Sequence, residues 1–119
     1  MKNLLRSDLT FRMNGRLWVE SSEERFMGIG RLELLEKIEA TGSISKAAQA
    51  MNMSYKRAWD LVSSMNTQAN KPLVITQTGG KSGGGALVTE EGKQAIQAFQ
   101  AMQERFRQFM EAETQRLNG

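Results

Sequence analysis

At 119 residues the chain is long enough for one domain with a modest core, but not for a catalytic domain joined to a sensor domain. Sixteen Lys and Arg against thirteen Asp and Glu leave a net charge of +3, so any argument for nucleic acid has to rest on where the charges sit. The absence of Cys and His removes disulfides, the usual structural zinc sites and the commonest general base, which argues against a metalloenzyme or a triad hydrolase.

No apolar run approaches the roughly eighteen residues of a membrane span, and the opening Met1-Lys2-Asn3-Leu4-Leu5-Arg6 turns polar too soon for a signal peptide, so the expected location is the cytoplasm. Residues 9–19 alternate Leu9, Phe11 and Met13, then Leu17 and Val19, around Asn14-Gly15. That pattern predicts two short antiparallel strands on a two-residue turn, an N-terminal hairpin within 1–20. Ser21 to Glu24 reads as a polar break. From Ile29, the spacing of Leu32, Leu34, Leu35 and Ile38 predicts a helix that Gly42 is placed to end.

SISKAAQAMNMSYKRAWDLVSSMN, residues 43–66, reads as two capped helices with about three residues between them, Ser45 opening the first and Ser54 the second. Ala47 and Ala48 keep the first helix thin where another crosses it. Asn52 can take a left-handed conformation, Met53 tucks the turn inward, and Ala58, Leu61, Val62 and Met65 form the buried stripe of the second helix. This is helix-turn-helix spacing.

LVITQT at 73–78 and Ala86 to Thr89 then read as strands flanking a glycine-rich tip, the wing of a winged helix. Gly80-Lys81-Ser82 in that tip superficially suggests a nucleotide-binding loop. The pattern fails, because Ile75 stands where the required glycine belongs and a strand follows where a helix should open. From Glu90 a last helix is expected to run to Leu117 with a stripe of Ile96, Phe99, Met102, Phe106, Phe109 and Met110. Some twenty-five helical residues span roughly 38 Å, more than a small domain can cover, which predicts a dimerisation helix. The organisation expected is therefore one mainly α winged helix-turn-helix domain over 1–119, with a hairpin at 1–20, a winged core at 28–89 and the helix at 90–117.

Tyr55, Lys56 and Arg57 fall in the first turn of the second helix of the pair, where a reading helix points its side chains at base edges and phosphates. Cations at a helix N-terminus oppose the macrodipole, so stability gives no reason for two of them there. Lys81 is the lone charge between Gly79 and Gly85 and would make a phosphate contact without fixing sequence. Trp59 and Asp60 read as scaffold, with Asp60 bracing Lys56. Glu23-Glu24 and Glu90-Glu91 are explained by capping, and no acid pair suggests an enzyme. A winged-helix adaptor that docks a protein with the same surface is the alternative.

LLEKIEATGSISKAAQAMNMSYKRAWDLVSSMN, followed by TGGKSGGGALVTEEG, resembles the N-terminal DNA-binding domain of the molybdate-responsive ModE transcriptional regulators, and is more distantly similar to the winged-helix part of LysR-type regulators. The resemblance implies a homodimer on double-stranded DNA, with Ser54, Tyr55, Lys56 and Arg57 on the reading helix and Lys81 on the wing. Full regulators of that type carry oxyanion-binding domains after this one. What the resemblance implies about molybdate therefore does not carry over to these residues: no cofactor is expected, and the signal would come from elsewhere or from a separate sensor protein.

Overall fold

A computed structural model describes residues 1–77 and 85–119. The chain divides into two compact units, Trp18–Phe99 on one hand and Met1–Leu17 with Gln100–Gly119 on the other.

The first unit opens with an antiparallel hairpin of β1 (Trp18–Glu20) and β2 (Arg25–Gly28), with Trp18 opposite Gly28 and Val19 opposite Met27. Ser21 closes its turn: its N–H donates to the Glu24 carbonyl at 2.9 Å, and its hydroxyl oxygen accepts from the Glu23 and Glu24 amides. The N-terminal hairpin thus exists but lies later than the sequence pattern placed it, and Ser21 to Glu24 is its turn. Residues 9–17 form no strand, and neither Asn14 nor Gly15 takes a positive φ. The reason is tertiary. The Phe11 N–H donates to Asn118 Oδ1 at 3.0 Å, the Phe11 carbonyl accepts from Asn118 Nδ2 at 2.7 Å, and the Met13 N–H donates to Thr114 Oγ1 at 2.9 Å. Gly15 serves close approach, since a Cβ there would lie 3.3 Å from the Phe106 ring.

Helix α1 (Ile29–Thr41) buries Leu32, Leu34, Leu35 and Ile38 and ends where Gly42, at φ 69, returns its N–H to the Ile38 carbonyl at 2.7 Å. Helix α2 (Ile44–Ala50) follows at once. Its cap is Ser43, not Ser45: Ser43 is extended and its Oγ accepts from the Lys46 amide at 3.1 Å, whereas Ser45 already sits inside the first turn. Ala47 and Ala48 are buried, and α2 packs between α1 and α3 (Tyr55–Gln68). Asn52 makes the turn at φ 54, and half-buried Met53 donates its N–H to the Ala48 carbonyl at 3.0 Å. Ser54 opens α3 by accepting the Arg57 amide at 3.0 Å, and Ala58, Leu61, Val62 and Met65 face inward.

Strands β3 (Val74–Gln77) and β4 (Gly85–Val88) pair antiparallel from Val74 opposite Val88 to Gln77 opposite Gly85. Thr78 and the tip carrying Lys81 lie outside the described residues. Side chains and backbone fasten this hairpin to the helices. Asn66 near the end of α3 accepts the Leu73 and Val74 amides on Oδ1, at 2.8 and 3.2 Å, and donates Nδ2 to the Val74 carbonyl at 2.9 Å. The Ala86 amide donates to the Gly42 carbonyl at 2.9 Å. Thr89 then opens α4 (Glu90–Asn118), its Oγ1 accepting the Gly92 amide at 3.0 Å while bonding the Pro72 carbonyl at 2.7 Å.

In the second unit, Arg107 is clasped by Glu104 and Glu111, which hold its guanidinium above the ordinary arginine range, while its hydrogen bond holds the Glu104 carboxyl below the usual carboxylate range. No residue of this unit is buried.

Two substitutions test this fastening. A Cβ on Gly92 would lie 2.3 Å from the Leu73 carbonyl oxygen and 2.7 Å from Val88, so Gly92→Ala should destabilise by about 2 kcal/mol despite alanine's better helix propensity. Asn66→Leu leaves the Leu73 and Val74 amides without their acceptor and should cost about 2–3 kcal/mol. Both are read from denaturant unfolding midpoints.

Candidate nucleic-acid interface

Because α3 spends Ala58, Leu61, Val62 and Met65 on the core, its first two turns present Tyr55, Lys56, Arg57, Trp59 and Asp60 to solvent. The Ser54 cap fixes where those turns begin. Lys56 Nζ donates to Asp60 Oδ2 at 3.0 Å, one helical turn on, which is the bracing expected from the sequence. With the two side chains 84% and 55% exposed, this pair contributes no more than about 1 kcal/mol and can yield Lys56 to a phosphate.

Arg57 faces a second set of cations. Arg31 on α1 donates Nη1 to Ser64 Oγ on α3 at 2.8 Å. Partial burial pulls the Arg31 guanidinium below its ordinary range; Glu24 opposes that pull, while Arg57 and Arg25 add to it. Arg25 lies over the Trp18 ring at 4.4 Å from its centre. Glu24, the acid in this group, accepts from the Ser64 hydroxyl and from Gln68 Nε2, the latter at 3.2 Å. The flank of α3 towards β2 therefore carries Arg57, Arg31 and Arg25 with one carboxylate among them. Sequence reasoning singled out Arg57 and missed Arg25 and Arg31: Arg25 belongs to the β1–β2 hairpin, which the Asn14-Gly15 pattern misplaced, and Arg31 is brought to α3 by its hydrogen bond to Ser64, thirty-three residues on.

The other flank of α3 faces the β3–β4 hairpin across an open cleft of about 380 Å³, lined among others by Ser43, Ser45, Tyr55, Trp59, Thr76 and Gln77. Trp59 is 41% exposed and Tyr55 is 54% exposed. Ser54, Tyr55, Lys56 and Arg57 thus come together at one end of one helix, while Lys81 lies outside the described residues. Among the described residues no three carboxylates gather as metal ligands would. Among the described residues no helix is long and apolar enough to cross a membrane.

Residues 29–93 match the family of bacterial regulatory helix-turn-helix proteins of the lysR type. The chain is 39% identical over 88 residues to a molybdenum transport protein ModE of Azotobacter vinelandii, covering 74% of this chain and 33% of that protein. It is 40% identical over 83 residues to the DNA-binding transcriptional dual regulator ModE of Escherichia coli (strain K12), covering 70% and 32%. Against the molybdenum-pterin-binding protein MopB of Rhodobacter capsulatus the identity is 47% over 77 residues, covering 65% and 28%. The chain spans about a third of the length of these relatives. The family match begins with α1, takes in α2, α3 and both strands of the wing, and ends in the first turn of α4. On that match, which takes in more than half of its residues, the chain belongs to the lysR family of bacterial regulatory helix-turn-helix proteins.

Proposed function

We propose that residues 1–119 act as one module that binds double-stranded DNA in a sequence-dependent way, as a homodimer in the cytoplasm, to regulate transcription. Tyr55, Lys56 and Arg57 read the duplex, Ser54 sets the start of the reading helix, and Lys81 on the wing contacts phosphate. The observation that carries this reading is the first turn of α3. Three exposed side chains stand there, two of them cations set against the helix dipole. Such an arrangement is unfavourable until a polyanion meets it, and a reading helix in the major groove supplies one. The relative from Escherichia coli is named as a DNA-binding regulator, which supports the same reading. No observation favours a protein-docking adaptor.

The dimer is supported by what the second unit leaves open. Met102, Phe106 and Met110 are half-buried, Phe109 is 45% exposed, and nothing in that unit is buried. Apolar side chains at that density on a helix of 29 residues gain stability when a second copy covers them.

Arg57→Ala should cost about 1–3 kcal/mol in affinity and relax preference at particular base pairs. Lys81→Ala should weaken all duplexes alike and lower the salt slope by about one. Selection of duplexes from a random pool, followed by titration at several salt concentrations, decides between them; a salt-independent interaction would sink the reading. Charging the stripe with Phe106→Glu and Phe109→Glu should convert dimers to monomers in light scattering, and an unchanged mass would move the interface elsewhere.

A further inference from the structure

The cleft beside α3 differs in chemistry from the rest of the exposed surface of that helix. Tyr55 and Trp59 stand one turn apart on the same side, each substantially exposed, and Thr76 and Gln77 face them from β3. Among the described residues, none that lines the cleft is charged. The hydroxyls of Ser45, Tyr55 and Thr76 and the Trp59 N–H make no hydrogen bond with the described residues. An apolar ligand or protein anchor would be met by an enclosed apolar wall, whereas here a flat ring is set among unpaired neutral donors with no carboxylate to repel a phosphate. The cleft also opens from the same turn of α3 that carries Lys56.

We propose that this cleft seats one sugar-phosphate strand of the duplex, with the Trp59 indole packed on a deoxyribose and the hydroxyls of Ser45, Tyr55 and Thr76 donating to the adjoining phosphate. The proposal rests on the DNA-binding reading above. It makes Trp59 a contact residue in place of a scaffold residue, and it makes a physical distinction. Neutral donors release no counterions, so this contact adds affinity without adding to the salt slope.

The test uses the full chain and two probes, a duplex recovered by selection and a random-sequence duplex of the same length. Trp59→Ala should weaken both by about 10-fold, the order of one aromatic contact with a nucleotide, while Trp59→Phe recovers most of the loss. Thr76→Val should weaken both by about threefold, the worth of one hydrogen bond. Plots of log affinity against log salt should stay parallel to that of the unaltered chain, whereas Lys56→Ala should flatten its plot. Since the chain has two tryptophans, Trp18→Phe leaves Trp59 as the sole indole emitter, and its emission should shift as duplex saturates. Thermal melting checks that each variant is folded. Full affinity in a folded Trp59→Ala chain, a flattened salt plot for that variant, or unchanged Trp59 emission at saturation would each overturn the proposal while the DNA reading stands. Failure of the unaltered chain to bind any duplex would overturn the DNA reading itself, and with it this proposal.

Discussion

The winged-helix unit depends on Gly42. At φ 69 it ends α1, because its N–H turns back to the Ile38 carbonyl, and it delivers the chain into Ser43, which opens α2. Its own carbonyl, left over by that reversal, accepts the Ala86 amide and so fastens β4 to the corner between the two helices. Any side chain at this position would meet open space, so sterics with neighbours do not demand glycine; the left-handed backbone does. Asn66 fastens the other strand. Its single amide accepts two hydrogen bonds from the Leu73 and Val74 amides and donates a third to the Val74 carbonyl, so the wing is tied at one strand to α3 and at the other to the α1–α2 corner. The hairpin is thus held at both strands beside α3.

Charge around α3 is arranged by flank. The outward turn carries Lys56 with an exposed acid that can be displaced, and the β2 flank carries arginines whose mutual repulsion is relieved by Glu24 and by hydrogen bonds to Ser64. On the wing flank, the described residues that line the cleft carry no charge. Cations fix how strongly binding depends on salt, whereas neutral donors and rings fix where a strand can lie. A surface built this way can tune position separately from electrostatic strength.

The parts legible in the sequence are those with local causes. The α1 stripe, the Gly42 stop, the Asn52 turn, the Ser54 cap and the buried face of α3 each follow from residues within one or two turns of each other, and the structure places all of them as the spacing indicated. Tyr55, Lys56 and Arg57 were legible for the same reason, since position in a helix's first turn is a local property. The hairpin was misplaced because Asn14-Gly15 is a strong local signal overruled from a distance: Asn118 and Thr114, about a hundred residues on, take the backbone groups that a strand partner would have used. Ser43 was missed as a cap because Ser45 is an equally good acceptor by composition. The choice between them was made by where Gly42 ended the preceding helix. Arg25 became visible only with the hairpin in place, and Arg31 only through its long-range bond to Ser64.

The two units solve the burial problem differently. Trp18–Phe99 closes a core from α1, α2, α3, the wing and the first turns of α4, and leaves Phe99 as its last buried residue. Beyond it the same helix carries Met102, Phe106, Phe109 and Met110 with no buried residue around them, and the segment 9–17 reaches them through polar bonds to Asn118 and Thr114. Hydrogen bonds of that exposed kind contribute about 1 kcal/mol each and give specificity of register more than stability. At roughly 25 cal/mol per Å² of apolar surface, the larger gain still open to this unit is the burial of its rings and methionines. That gain requires a surface of matching chemistry and length, which is the ground on which a second copy of the same helix is proposed to cover it.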